Sequence, residues 1–151
     1  MLALLEELDG PQVDWRPVVA LFILWTLVWY WISSFLRKRL EALPAESRKL
    51  APWVAYLLII PGVNLLANFI VLIGTAQSYT KSFEAFGREL PGRESGSREA
   101  ALYGIFFCLG VYPMDTGLQG IIWFIAIGSI TLYLFKIHSL AQRFARIKIN
   151  A

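Results

Sequence analysis

The sequence predicts an all-α protein, a small polytopic bundle of transmembrane helices with a broken or re-entrant central segment. Three observations carry that reading. The chain is 57% hydrophobic and 15% aromatic, with a mean hydropathy of +0.56, which is more apolar than an ordinary soluble domain. Its apolar residues are gathered into runs that approach the ~20 residues a helix needs to cross a bilayer. The most apolar run, PWVAYLLIIPGVNLLANFIVLIGT from Pro52 to Thr75, is interrupted at its middle by Pro61, Gly62 and Asn64.

That interruption is the centre of the expected architecture. A proline inside a helix removes one backbone donor and clashes with the preceding turn, and a glycine beside it favours a bend, so Pro61 and Gly62 predict a hinge between two half-helices. In lipid the freed backbone groups need partners, which places the segment inside a bundle, against other protein or trapped water.

At 151 residues the chain makes a single integral membrane domain over 1–151, with spans expected near 17–36, 52–75 (broken or re-entrant), 99–113 (short) and 118–137. Met1 to Asp9 reads as a short leucine-rich helix closed by Gly10-Pro11 and capping the bundle. Met1 to Trp15 carries four acids and no lysine or arginine, the reverse of a signal peptide's leader, so the first apolar run is expected to remain as an anchor.

Pro17 to Leu36 is the clearest span, flanked by Trp15-Arg16 and, after Trp29-Tyr30-Trp31, by Arg37-Lys38-Arg39, an aromatic belt followed by a basic flank. Trp25, Trp29 and Ile32 share one face and read as packing residues, since no axial-ligand histidine accompanies them. Asn64, Asn68, Val71 and Thr75 recur by three- and four-residue steps, and Ser78 and Ser82 extend the set into a polar stripe. Such side chains either cross-link helices, at ~1 kcal/mol each, or line a solute path. The helix then continues as a mixed amphipathic stretch to Gly87, and PGRESGS (91–97) reads as a flexible loop.

The apolar stretch Ala100 to Tyr112 is short for a span, and Pro113 to Gly117 is a tight turn before the second convincing span, Leu118 to Ile137. Gly120 and Gly128 lie near one face of it and are expected to permit close helix approach, within the bundle or between two copies of the chain. Cys108, the only cysteine, is expected as a small core residue.

The lysines and arginines choose between topologies. Four full crossings divide the 14 bases into nine and five. Three crossings with a hairpin at Pro61-Gly62 leave thirteen on one side and Arg16 alone on the other, which fits the positive-inside bias far better. Each hairpin arm would be about 14 to 18 Å long, enough to reach mid-membrane. The expected arrangement has the N-terminus outside and the C-terminus cytoplasmic.

The succession Ile60-Pro61-Gly62-Val63-Asn64, a further apolar helix, then Glu84-Ala85-Phe86-Gly87-Arg88 and an apolar segment from Ala101 resembles small bacterial membrane proteins with an IPxxN…AFGK pattern, some of them associated with signal peptidase I. The resemblance covers residues 52 to 113. It implies a bacterial inner membrane and brings no catalytic residues, and the loop after Gly87 is longer and more charged here than in that pattern.

For catalysis the chain offers little. The only histidine, His138, is expected at a helix end beside Lys136, Asp115 stands alone among acids in the second half's membrane region, and no HExxH, GxSxG or phosphate-cradling glycine loop occurs. The bases adjoin apolar runs rather than forming a free basic face, which argues against nucleic acid. Neither a cofactor nor a metal is expected. The sequence therefore predicts a non-catalytic membrane subunit that contacts lipid and either a membrane-protein partner or a second copy of itself, with a small channel or transporter using Pro61 to Asn64 as the alternative.

Overall fold

The computed structural model describes residues 15–90 and 94–149. The expected leucine-rich helix at Met1 to Asp9 and residues 91–93 of the expected loop lie outside the described residues. Among the described residues every regular element is helical. We label the α-helices α1 (Trp15–Glu41), α2 (Val63–Asn68), α3 (Gly74–Ala85), α4 (Ser97–Val111) and α5 (Thr116–Ile149). Two of them, α1 and α5, are long and apolar enough to cross a membrane.

Helix α1 has its one proline in the first turn and Lys38 and Arg39 in the last, both favourable placements. Only its second half is packed. Trp29, Ile32, Ser33, Leu36 and Leu40 are buried, spaced by three and four along one face, whereas Val18, Val19, Leu21, Phe22, Ile23 and Leu24 are exposed around the whole circumference. The end of α1 is capped from a distance. The Arg48 guanidinium donates to Leu43 O at 2.9 and 2.7 Å and to Glu41 O at 3.0 Å, satisfying carbonyls that have no intrahelical donor.

After a 3₁₀ turn at Ala45–Ser47, residues Pro52–Ile59 form a second, longer 3₁₀ segment against α1. The sequence predicts an α-helical arm here, and the structure differs for a visible reason. A 3₁₀ helix brings every third residue onto one line, and Ala55 and Leu58 are the two side chains of this arm that are fully buried. Tyr56 accepts a hydrogen bond from Arg37 at 2.9 Å and stacks on Tyr30. The chain then turns through Ile60, Pro61 and Gly62. Gly62 has φ +83°, and a Cβ added there would meet nothing within 4 Å, so glycine is needed for its backbone and not for space.

Helix α2, a π-helical turn at Phe69–Ile73 and α3 follow without a break. Helix α3 ends in a Schellman arrangement: Gly87, at φ +66°, donates to Glu84 O at 2.9 Å and Arg88 N to Phe83 O at 3.1 Å. Both arms of this excursion finish at the same end of the bundle. Lys49 N donates to Ser78 Oγ at 2.8 Å, Lys81 Nζ to Glu46 O at 2.8 Å and Ser82 Oγ to Ser47 Oγ at 2.8 Å.

Helices α4 and α5 pair antiparallel over the length of α4. At one end Gln119 Nε2 donates to Gly110 O at 3.0 Å; at the other Lys136 pairs with Glu99 at 2.8 Å. Helix α4 starts before the apolar run, at Ser97, which lengthens a stretch whose apolar residues alone are short for a span. Helix α5 starts with Asp115 Oδ1 accepting from Gly117 N at 2.9 Å and runs on to Ile149, so His138 lies within it and not at its end. Trp25, Trp29, Tyr103, Phe107 and Trp123 form an aromatic cluster with neighbouring ring centroids 5.5 to 6.2 Å apart, joining α1, α4 and α5.

Two expectations need correction. Gly120 and Gly128 face open space; close approach falls instead at Gly104, where an added Cβ would stand 2.6 Å from the Phe69 ring, and at Gly110, 2.9 Å from Trp123. Helix α5 turns Ile122, Ala126, Ser129 and Tyr133 inward, and this face excludes both glycines. Cys108 is exposed, because α4 buries Tyr103, Gly104, Phe107 and Gly110 and position 108 points away from that face.

Candidate functional site

The polar stripe lies inside the bundle. Asn64, Asn68, Thr75, Ser78 and Ser82 are all buried, while Val63, Leu66 and Ile70 on the other side of the same helical stretch are exposed, Leu66 by 72%. The π turn at Phe69–Ile73 shifts the register between Asn68 and Thr75, yet the stripe stays internal because α3 is buried on most of its circumference, from Gly74 through Phe83.

Most of these side chains bond to the chain's own backbone. Asn64 Nδ2 donates to Leu58 O, the carbonyl near the end of the 3₁₀ arm, at 2.6 Å, and so ties the two arms together just below the Pro61-Gly62 turn. Thr75 Oγ1 donates to Val71 O at 2.7 Å and Ser78 Oγ to Gly74 O at 2.7 Å. Ser82 Oγ reaches both Ser78 O and Ser47 Oγ. Tyr133 Oη donates to Leu72 O at 2.8 Å, joining α5 to the π turn. Asn68 differs: it is fully buried, and neither its amide nitrogen nor its oxygen has a hydrogen-bond partner. Asn64 Oδ1 and Ser33 Oγ are likewise unpartnered. In a dry interior each such group costs about 1 to 3 kcal/mol.

The ion pairs of the described residues lie toward the end of the bundle where the arms of the excursion meet. Arg37 pairs with Glu41 at 2.7 Å and Arg143 with Glu94 at 2.7 Å. Arg39 Nη2 contacts His138 Nδ1 at 2.8 Å. A guanidinium only donates, so Nδ1 is the acceptor in this contact. Gln142 Nε2 lies 3.0 Å from the other ring nitrogen, His138 Nε2. Among the described residues no three His, Cys, Asp or Glu side chains come together in a group that could hold a metal ion.

The structure brings Asn64, Asn68 and Thr75 to one buried side of α2 and α3 and puts Pro61 and Gly62 at the turn above them. It leaves Gly120 and Gly128 on the outside. Sequence reasoning missed Tyr133, Ser33 and Arg48. For Tyr133 a signal was present, since a tyrosine inside an apolar span needs a partner for its hydroxyl; the partner, a backbone carbonyl, has no sequence signature. No family model matches this chain, and no curated protein or solved structure matches it.

Proposed function

We propose that this chain is an integral membrane protein with three crossings, α1, α4 and α5, and a re-entrant hairpin formed by residues 52–85, and that it acts as a non-catalytic subunit that scaffolds a membrane-protein complex or assembles with copies of itself. The observation that carries the reading is the polarity of α2 and the π turn. Asn64 and Asn68 face inward while Val63, Leu66 and Ile70 face outward, the reverse of a helix solvated by water and the natural arrangement of one solvated by lipid.

Other features agree. In this topology thirteen of the fourteen bases fall on the side where the hairpin arms meet, which makes that side cytoplasmic and the N-terminus external. The bacterial inner membrane implied by the IPxxN…AFGK resemblance belongs to the same reading. Arg48 caps a helix, and Lys136, Arg143 and Arg37 are held in ion pairs, so these groups serve the fold. The first turns of α1 expose apolar side chains on every face, which leaves them for lipid or a partner helix.

Purification in gentle detergent with mass determination tests the proposal. A stable homo-oligomer or a stoichiometric membrane-protein partner supports it; a bare monomer under the gentlest conditions opposes it. The unpartnered amide of Asn68 favours one second reading, a small solute path along the hairpin. Conductance or flux in reconstituted vesicles that disappears in Asn64→Ala and Asn68→Ala would replace the scaffold with a channel.

A further inference from the structure

Beyond the hydrogen-bonded core, the end of the bundle read above as cytoplasmic holds a cavity of about 330 Å³ between the end of α3 and the last turns of α5. We propose that it is a binding site for a phosphate monoester or diester attached to an apolar group, with Arg88, Arg143 and Arg146 taking the phosphate and Phe83, Leu90 and Ile147 taking the apolar part.

Local geometry builds the site. The Schellman ending of α3 needs Gly87 at φ +66° and fixes the next backbone by the bond from Arg88 N to Phe83 O, which sets Arg88 at the cavity wall. Arg143 and Arg146 are three apart on α5 and so share one face of it. Three arginines from two separate elements thus line one space. Arg143 gives one nitrogen to Glu94 and leaves the remainder of its fork exposed; neither Arg88 nor Arg146 has an ion pair among the described residues.

The charge balance selects an anion. The lining carries two carboxylates, Glu89 and Glu94. Glu94 is met by Arg143, which among the described lining residues leaves Arg88 and Arg146 against the one further carboxylate, Glu89. A planar guanidinium matches a phosphate through paired N–H donors, and two of them can hold its oxygens from both sides. The apolar wall is firm: Phe83 is buried, its ring meets Phe144 edge-on at 5.8 Å, and Leu90 and Ile147 pack against the core. Such a wall suits methylenes next to a phosphate and does not suit a bare, fully hydrated ion.

Two sources supply this chemistry, a phospholipid headgroup at the cytoplasmic surface and a soluble phosphorylated compound. The test uses the full chain in nanodiscs of phosphatidylcholine alone and of an equal mixture with phosphatidylglycerol, read by native mass spectrometry after release into gentle detergent. Retained phosphatidylglycerol that falls about tenfold or more in the Arg88→Ala, Arg146→Ala double variant supports a lipid occupant. Retention of added hexyl phosphate by protein from phosphatidylcholine discs, lost in the same variant, supports a soluble one. Both substituted residues are exposed, and an unchanged melting temperature establishes that the fold survives. Lys38→Ala, at the same end of the bundle but outside the cavity, is the control for general attraction to anionic lipid. Equal binding by the double variant and the parent, or an equal loss in Lys38→Ala, overturns the site. The soluble arm reads binding from either face of the disc, so its result stands apart from the topology proposed above.

Discussion

Tyr133 reaches across from α5 to donate its hydroxyl proton to the carbonyl oxygen of Leu72 at 2.8 Å. Leu72 belongs to the π-helical turn at Phe69–Ile73, where the wider coil disturbs the regular i→i−4 ladder and leaves carbonyls in need of outside donors. The tyrosine is fully buried. The bond therefore does two things at once: it satisfies a phenol that no water reaches, and it holds the irregular turn against the long helix.

Tyr133→Phe keeps the ring and removes the donor. The Leu72 carbonyl is then buried without that partner, and the expected loss is about 1 to 3 kcal/mol. Thermal unfolding in detergent measures it. A variant as stable as the parent means that the π turn is held by packing alone.

The two glycine sets should respond in opposite directions. Gly104→Ala pushes a Cβ to 2.6 Å from the Phe69 ring, and the overpacking is expected to destabilise by about 1 to 3 kcal/mol. Gly128→Ala meets nothing within 4 Å and replaces a poor helix former by the best one, so the folded chain should hold or gain up to about 1 kcal/mol. If Gly128→Ala keeps the monomer stable but lowers oligomer mass, that outer face of α5 is the contact between copies.

How much of this was legible in the sequence follows from what each feature depends on. The long apolar runs of α1 and α5 and the turn at Pro61-Gly62 rest on composition and on two residues with restricted or permissive backbones, and these can be read locally. The three- and four-residue spacing of Asn64, Asn68 and Thr75 marked a single helix face, and that face is buried. The 3₁₀ arm at Pro52–Ile59 was not legible, because an apolar stretch of eight residues accepts either helical period until its neighbour chooses one. Gly120 and Gly128 misled for the same kind of reason. A glycine's role depends on what stands opposite, and Phe69 and Trp123 happen to stand opposite Gly104 and Gly110.

Asn64 and Asn68 separate two effects of the same residue type. Asn64 bonds Leu58 O at 2.6 Å, so Asn64→Leu removes a tie between the hairpin arms and should destabilise by about 1 to 3 kcal/mol. Asn68 has no partner at either end of its amide. Asn68→Leu, close in volume, should leave stability unchanged or raise the melting temperature, because an unsatisfied buried group is replaced by an apolar one. Destabilisation by Asn68→Leu as large as that by Asn64→Leu would show that the amide of Asn68 is bonded in the membrane.

The proposed re-entrant path makes a distance prediction that does not depend on stability. Ser47 precedes the first arm, Ser82 lies near the end of the second, and their hydroxyl oxygens are 2.8 Å apart. With Cys108 replaced by serine to leave no native thiol, a Ser47→Cys, Ser82→Cys double variant should form an intramolecular disulfide under mild oxidation in native membranes, since the two side-chain ends already meet. Proteolysis between the two positions would then release no separate fragment until reductant is added. If residues 52–75 instead crossed the bilayer once, positions 47 and 82 would be separated by roughly 30 Å of hydrocarbon, and no such link could form within one chain. The same membranes carrying a reporter fused at Ser95 should place that position on the cytoplasmic side, so a cross-link together with an external reporter signal would retain the hairpin and reverse its orientation.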